Sequence, residues 1–183
     1  NIIANSLDYR TPEIGAEFGQ SIAIGQIDPD GPDELVIGAP GGDSQKGKVF
    51  VVKPALAFFP SQVDIPTSAT ASIMYTQSQF GARMGQRVAI ESVDNFPGRD
   101  LVIGAPGFDS VGGDLDHGRV YILSNTSTAL GSLIDVDGSS LNGVSIQGFP
   151  KETQAGSYFA FGDFDSTVNL PAPGVLFARR DMI

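Results

Sequence analysis

The 183-residue sequence has no cysteine, one histidine and few basic residues. Without cysteine there is no disulfide framework, and the redox compartment cannot be read from thiols. Eleven Lys and Arg residues against 21 Asp and Glu give a formal net charge of −10. This balance argues against a nucleic-acid partner, because phosphates demand basic patches. No apolar run approaches the roughly 18 residues needed to cross a bilayer, so no membrane span is expected.

The usual catalytic arrangements are also missing. His117 is the only histidine, so any Ser-His-Asp site would depend on this one residue. Its position in a loop predicts a satisfied or solvated surface histidine. The sequence contains no Gly-x-Ser-x-Gly elbow and no phosphate-binding Gly-rich loop with a lysine. We therefore expect no catalytic residues and no enzyme activity.

What the sequence does contain is an internal repeat. Leu35-Val-Ile-Gly-Ala-Pro-Gly-Gly-Asp-Ser44 returns as Leu101-Val-Ile-Gly-Ala-Pro-Gly-Phe-Asp-Ser110, at an offset of 66 residues (101 − 35). Upstream, residues 19–24 match residues 85–90 at the same offset. A single unit of this size cannot bury its apolar face without neighbours, so the repeat predicts stacked units.

Each repeat predicts a small antiparallel sheet, because short apolar runs alternate with turns rich in Gly, Pro and Asp. The predicted strands of the first repeat are 18–27, 35–37, 47–52 and 69–76, and those of the second are 84–93, 101–103, 118–123 and 143–148. Gly38-Ala-Pro40 should let another backbone pass closely and end the ladder. The fold class is therefore all-β.

A fainter third copy follows, and an extra strand precedes the first. Residues 156–163 fit a first strand and 175–177 a second, but Gly-Ala-Pro is replaced by Ala178-Arg-Arg180. Residues 1–8 have the spacing of a fourth, outer strand. We divide the single domain, 1–183, into an outer strand with its lead-in (1–17), a first blade (18–77), a second blade (84–149) and a partial third blade (155–183).

The motifs resemble the FG-GAP repeat of integrin α-subunit propellers and of glycosylphosphatidylinositol-specific phospholipase D. Phe18-Gly19 corresponds to the FG element, and Gly38-Ala-Pro40 and Gly104-Ala-Pro106 to the GAP element. Met84-Gly85 and Ala155-Gly156 replace FG in the later copies. The resemblance implies four-stranded β-propeller blades, usually seven to a ring, in an extracellular or cell-surface protein. This chain holds only about three blades, so further strands are needed to cover the open faces.

The resemblance also implies a calcium site in the turn between the first two strands, where one tight loop gathers oxygen ligands. In the first repeat, the corresponding residues are Gln26, Asp28, Asp30, Pro32 through its carbonyl, and Glu34. In the second repeat Phe96 stands at a ligand position, which predicts a metal-free turn. A weaker third site would use Asp163, Asp165 and Asn169. The alternative is that these residues only form turns.

Asn125-Thr-Ser127 is an N-glycosylation sequon directly after a predicted strand, which favours a secreted glycoprotein. The leading hypothesis is a non-catalytic extracellular structural or adhesive module. It would assemble with other copies of itself or with further blades, as an oligomer or a filament, by blade packing or strand complementation. Two alternatives stay open: a fragment of a seven-bladed adhesion propeller that binds an extracellular protein or glycan, and an accessory repeat domain of a secreted hydrolase.

Overall fold

A computed structural model of the chain describes residues 8–10, 13–28, 31–53, 62–64, 72–93, 99–109, 115–124, 132–138, 143–148, 152–162 and 174–178. Its strands are β1 (Asp8–Arg10), β2 (Ser21–Gly25), β3 (Glu34–Ala39), β4 (Lys48–Val52), β5 (Gln62–Asp64), β6 (Ser72–Thr76), β7 (Arg87–Glu91), β8 (Asp100–Ala105), β9 (Arg119–Leu123), β10 (Leu133–Asp135), β11 (Gly143–Gln147), β12 (Tyr158–Gly162) and β13 (Gly174–Ala178). One helical turn, α1 (Gly42–Gln45), lies between β3 and β4. The all-β prediction is confirmed.

The two strong repeats form two antiparallel sheets with the same order of strands. In the first sheet β2, β3, β4 and β6 pair in succession, and in the second sheet β7, β8, β9 and β11 do the same. The third repeat contributes the antiparallel pair β12–β13. Every strand predicted within the two strong repeats is therefore present, with bounds shifted by a few residues.

The two sheets pack face to face through the apolar runs that define the repeat. Val36, Val51 and Tyr75 on the first sheet belong to one buried cluster with Leu101 and Ile103 on the second. Leu101, Val102 and Ile103 are all 0% exposed, as expected for a strand covered on both faces. On the far face of the second sheet, Phe159 and Phe161 of β12 pack against a cluster of Val102, Val120 and Ile122.

The glycine of each Gly-Ala-Pro motif lies where two backbones cross. A Cβ on Gly38 would stand 2.0 Å from the carbonyl oxygen of Gly85, and one on Gly104 would stand 2.1 Å from that of Gly156. Only glycine admits so close an approach. The predicted role of the motif is confirmed at both crossings.

The structure corrects one prediction about the outer strands and leaves another untested. Strand β1 spans Asp8–Arg10, and residues 1–7, which make up most of the predicted outer strand, lie outside the described part. The first sheet also has five strands instead of four, because β10 from the second repeat pairs in parallel with its outer strand β6. Likewise β5 of the first repeat pairs in parallel with β1. Neither β5 nor β10 was predicted.

Candidate functional site

The turn after β2 is organised by the buried carboxylate of Glu34. This residue begins β3 and is 1% exposed. Its Oε2 accepts a hydrogen bond of 2.8 Å from the backbone N–H of Ile27, which closes the turn across seven residues. Its Oε1 is buried and accepts no hydrogen bond from the residues that the structure describes. A carboxylate oxygen that is buried without a hydrogen bond is costly unless a positive charge lies nearby.

The positive charge comes from Lys53, directly after β4. Its Nζ lies 4.0 Å from Glu34 Oε1 and 3.0 Å from Asp28 Oδ2, so two carboxylates of the turn share one ammonium group. Lys53 is about three-quarters buried, which strengthens the attraction relative to an exposed pair. The two carboxylates of this part of the turn are therefore paired with a cation of the chain itself.

The other predicted ligands of the first turn are placed less completely. The side-chain amide of Gln26 donates to the carbonyl oxygen of Gly31 at 2.7 Å, which stabilises the turn. Pro32 is exposed, and Asp30 lies outside the described residues. Within the described part of the chain, no three His, Cys, Asp or Glu side chains gather as a metal-binding group. The calcium site at Gln26, Asp28, Asp30, Pro32 and Glu34 stays a prediction.

The second repeat closes its turn in the same way. Asp100, which corresponds to Glu34, is 3% exposed, and its Oδ2 accepts from the backbone N–H of Val93 at 2.7 Å. The position of Lys53 is taken by Ser124. The remaining residues of this turn, 94–98, lie outside the described part, as do Asp163, Asp165, Asn169 and the sequon residue Asn125.

A second candidate site is the apolar face of the first strand in each sheet. Val88 and Ile90 of β7 are each 9% exposed, because they pack against the first sheet. The corresponding residues of β2, Ile22 and Ile24, are 58% and 70% exposed. Ile22 and Ile24 thus expose to solvent the strand face that the second sheet buries against its neighbour.

The two sheets are also joined at their outer edge by residues 132–138, which we call the bridging segment. Met74 N–H donates to Ser132 O at 2.9 Å, and Val136 N–H donates to Thr76 O at 2.8 Å. The segment leaves the second repeat between β9 and β11 and adds β10 to the first sheet. Val136 is 6% exposed, so its side chain joins the buried cluster between the sheets.

Asp137 fixes the end of the bridging segment to both sheets. Its Oδ2 accepts from the backbone N–H and the hydroxyl of Ser78, at 3.1 and 2.9 Å. Its Oδ1 accepts from the Tyr121 hydroxyl at 3.0 Å and from Arg119 Nη1 at 3.4 Å. Burial, followed by the charge of Asp137, raises the pKa of Tyr121 well above its ordinary value. The phenol therefore stays protonated as a donor.

His117 is buried rather than on the surface. It is 4% exposed, and its Nδ1 lies 3.2 Å from Gln147 Nε2 on β11. Its carbonyl oxygen accepts from the backbone N–H of Ala155 at 3.1 Å, where the third repeat meets the second. The expectation of a surface histidine is wrong, because residues 115–117 pair by backbone hydrogen bonds with residues 152–155 at the start of the third repeat.

Sequence reasoning missed the bridging segment, although the sequence carries a signal for it. Ser61-Gln-Val-Asp-Ile65 corresponds to Ser132-Leu-Ile-Asp-Val136 at an offset of 71 residues, which is the offset of β4 and β9. The middle three residues of each stretch form β5 and β10. The match is short and lies between stronger strands, so the repeat pattern alone does not identify it as a strand.

Comparison with known proteins finds a partial match to an integrin alpha subunit. Over 109 residues, or 58% of its length, the chain is 32% identical to integrin alpha-PS2 of Drosophila melanogaster. The aligned region is 7% of that relative, so the chain spans a small part of the protein it matches. No family model matches the sequence. In the described part of the chain, no helix is both long and apolar enough to cross a membrane.

Proposed function

We propose that the chain is a non-catalytic, adhesion-type module of an extracellular or cell-surface protein, in which the sheets stack as propeller blades and join further sheets of the same kind. The observation that carries this proposal is the contrast on the first strands. Ile22 and Ile24 are exposed where Val88 and Ile90 are buried against a neighbouring sheet. The similarity to an integrin alpha subunit supports the adhesion class.

In the form that we favour, copies of the chain supply the missing sheets to one another. Exposed apolar surface of this kind drives association when a complementary face is available. Blade packing or strand complementation that repeats head to tail would give rings or filaments. The module therefore acts by assembly, and we expect no turnover of any substrate.

Light scattering coupled to size-exclusion chromatography, over a range of concentrations, tests assembly. We expect species heavier than the 19.1 kDa chain, and their loss in the double variant Ile22→Lys/Ile24→Lys. Leu115→Lys is the matched control, because Leu115 is 62% exposed outside this surface. A chain that stays monomeric at all concentrations would contradict self-assembly.

A monomeric chain would leave the second candidate, a segment of a longer adhesion propeller. The alignment with integrin alpha-PS2 favours it, because the matched region is a small part of a large protein. In that case Ile22 and Ile24 pack against a sheet of the same polypeptide. A longer form of the protein that stays monomeric, and in which both residues are protected from solvent labelling, would establish this candidate.

We further propose that calcium binds the turn after β2 and stabilises it. Gln26, Asp28, Asp30, Glu34 and the carbonyl of Pro32 would supply the oxygen ligands. Support comes from the buried Oε1 of Glu34, which accepts no hydrogen bond, and from the ammonium group already held between Asp28 and Glu34. Bound calcium would neutralise these carboxylates in place of Lys53 and hold the turn closed.

Thermal unfolding with calcium or with chelator tests the metal. Calcium should raise the melting temperature by mass action on the folded state, and Asp30→Ala should abolish the increase. Lys53→Met should lower stability in chelator but increase the effect of calcium, since the competing ammonium group is gone. If calcium changes the melting curve of neither wild type nor Lys53→Met, the turn is not a calcium site.

A further inference from the structure

The parallel pairing made by the bridging segment occurs twice in the chain. In each case, the segment between the third and fourth strands of one repeat pairs in parallel with the outer strand of the preceding repeat: β5 with β1, and β10 with β6. Each time the central register pair places an aliphatic residue opposite tyrosine, Val63 opposite Tyr9 and Ile134 opposite Tyr75. Two occurrences in one chain make this a property of the repeat.

The outer strand of the second repeat has the same position but no such partner among the described strands. β11 is the last strand of its sheet, and all five of its residues are exposed. Val144 and Ile146 are 61% and 40% exposed. Tyr75, which corresponds to Ile146 and stands opposite Ile134 of the bridging segment in register, is 1% exposed.

We infer that the outer edge of β11 is an acceptor for the bridging segment of the unit that completes the third repeat. The partner is an extended stretch with the pattern Ser-x-aliphatic-Asp-aliphatic, which adds as a parallel strand. The inference rests on the proposed function, since it requires that a further unit adjoins the chain. It specifies which edge is used and which chemistry the adjoining strand must have.

The register of the accepted strand follows from the pairs already formed. β11 pairs with β9 as β6 pairs with β4, so that Ser145 stands opposite Tyr121 as Met74 stands opposite Phe50. Met74 N–H and Thr76 O make the outward hydrogen bonds to the bridging segment. The corresponding groups are Ser145 N–H and Gln147 O. The aliphatic residue of the incoming strand then lies opposite Ile146 and covers its exposed side chain.

This mode of recognition combines backbone pairing with a side-chain pattern. Backbone hydrogen bonds supply affinity, and the alternate side chains supply selectivity. An exposed edge strand otherwise invites uncontrolled pairing, which proteins limit by covering the edge. A bridging segment from the next unit would cover β11 as β10 covers β6.

The test uses the full chain, isotope-labelled, and a synthetic peptide with the sequence of residues 132–138. We expect the peptide to shift the nuclear magnetic resonance signals of the Ser145, Ile146 and Gln147 amides, with an affinity on the order of millimolar because few hydrogen bonds form. A peptide carrying Val136→Pro lacks the N–H that would donate to Gln147 O. It should bind roughly fivefold more weakly or not at all.

Matched variants of the chain locate the acceptor. Ser145→Pro removes the outward N–H at an edge position where proline is tolerated, and should abolish the shifts. Ser145→Ala retains the N–H and should bind as the wild type does. If Ser145→Pro does not fold, the comparison of the two peptides on the wild-type chain still decides the matter.

Three outcomes would overturn the inference: no shift at β11, equal shifts with a scrambled peptide, or shifts confined to residues 74–76, where the peptide would only displace the chain's own bridging segment. The result is separable from the assembly test. A chain that assembles without binding the peptide at β11 retains the proposed function but loses this inference. A monomeric chain that binds the peptide retains the acceptor edge, and its further unit then belongs to a longer polypeptide.

Discussion

Two boundaries between repeats can be compared: the first lies between the first and second sheets, and the second lies between the second sheet and β12. Each has a backbone crossing of the same kind, but the two differ at their outer edges. Both place a Gly-Ala-Pro glycine against the glycine at the start of the next repeat. At the first boundary, where the bridging segment pairs with β6, Tyr75 is 1% exposed, whereas at the second Ile146 is 40% exposed. The crossing is therefore local to the repeat, and the outer edge depends on a strand supplied by the neighbour.

The largest effect is expected where the two boundaries agree. Gly38→Ala and Gly104→Ala each place a methyl group about 2 Å from a backbone oxygen, so each should lower the free energy of unfolding by about 3 kcal/mol or more. Urea unfolding followed by circular dichroism measures the loss. Gly31→Ala is the control, because its Cβ meets nothing nearer than 3.7 Å. Equal stability of all three variants would show that the crossing is not close.

The next largest effect on the free energy of unfolding is expected to differ between the outer edges of the two boundaries. Tyr75→Ala removes a side chain that is 1% exposed and should cost about 3 kcal/mol, whereas Ile146→Ala should cost about 1 kcal/mol or less. Chemical unfolding of the two variants under the same conditions measures the difference. Similar losses would mean that β11 is already covered, which would contradict an open acceptor edge.

The strands and crossings that the sequence predicts are those with a strong local pattern. Leu35–Ile37 and Leu101–Ile103 are strong signals because both faces of the strand are buried, and Gly38 and Gly104 are strong because the crossing admits no side chain. The parallel strands β5 and β10 have only three residues each. Their partners lie on another repeat, so alternation within a window carried no signal.

The turn residues likewise combine features that a local pattern predicts with contacts that it does not. The resemblance implies that Glu34 binds a metal, and this stays a prediction. Its hydrogen bond from the N–H of Ile27 lies within the turn, whereas the cation that it shares with Asp28 is Lys53, which follows β4. Asp137 likewise joins Ser78 and Tyr121 across sequence separations of 59 and 16 residues. Contacts of this kind follow from the packing of sheets and leave no local pattern.

A smaller effect tests how the bridging segment is fixed. Asp137→Ala leaves Tyr121 and Ser78 without their common acceptor and should cost about 1 to 2 kcal/mol. The variant should also lower the raised pKa of Tyr121, although burial, the larger cause, will keep that pKa above the ordinary 10.0. Phenolate absorbance during an alkaline titration reports this pKa. An unchanged titration would mean that Asp137 does not contact the phenol.

The smallest effect concerns the lead-in to each repeat. Glu13 accepts from the backbone N–H of Asp43 and pairs with Lys48 at 2.7 Å, whereas in the second repeat Gln79 accepts from Asp109 N–H at 3.0 Å. Burial raises the pKa of Glu13, but the hydrogen bonds from Lys48 and Asp43 outweigh it and leave the pKa below 4.5.

A lowered folded-state pKa means that Glu13 stabilises the first repeat above the unfolded value and loses this contribution as the pH falls below about 4.5. Glu13→Gln makes the first repeat resemble the second and removes the ion pair with Lys48. We expect a loss of about 0.5 kcal/mol at neutral pH, because the pair is partly exposed. The loss should vanish in acid, so unfolding curves of wild type and variant should converge as the pH is lowered. A difference that persists unchanged in acid would assign the effect to packing rather than to the charge of Glu13.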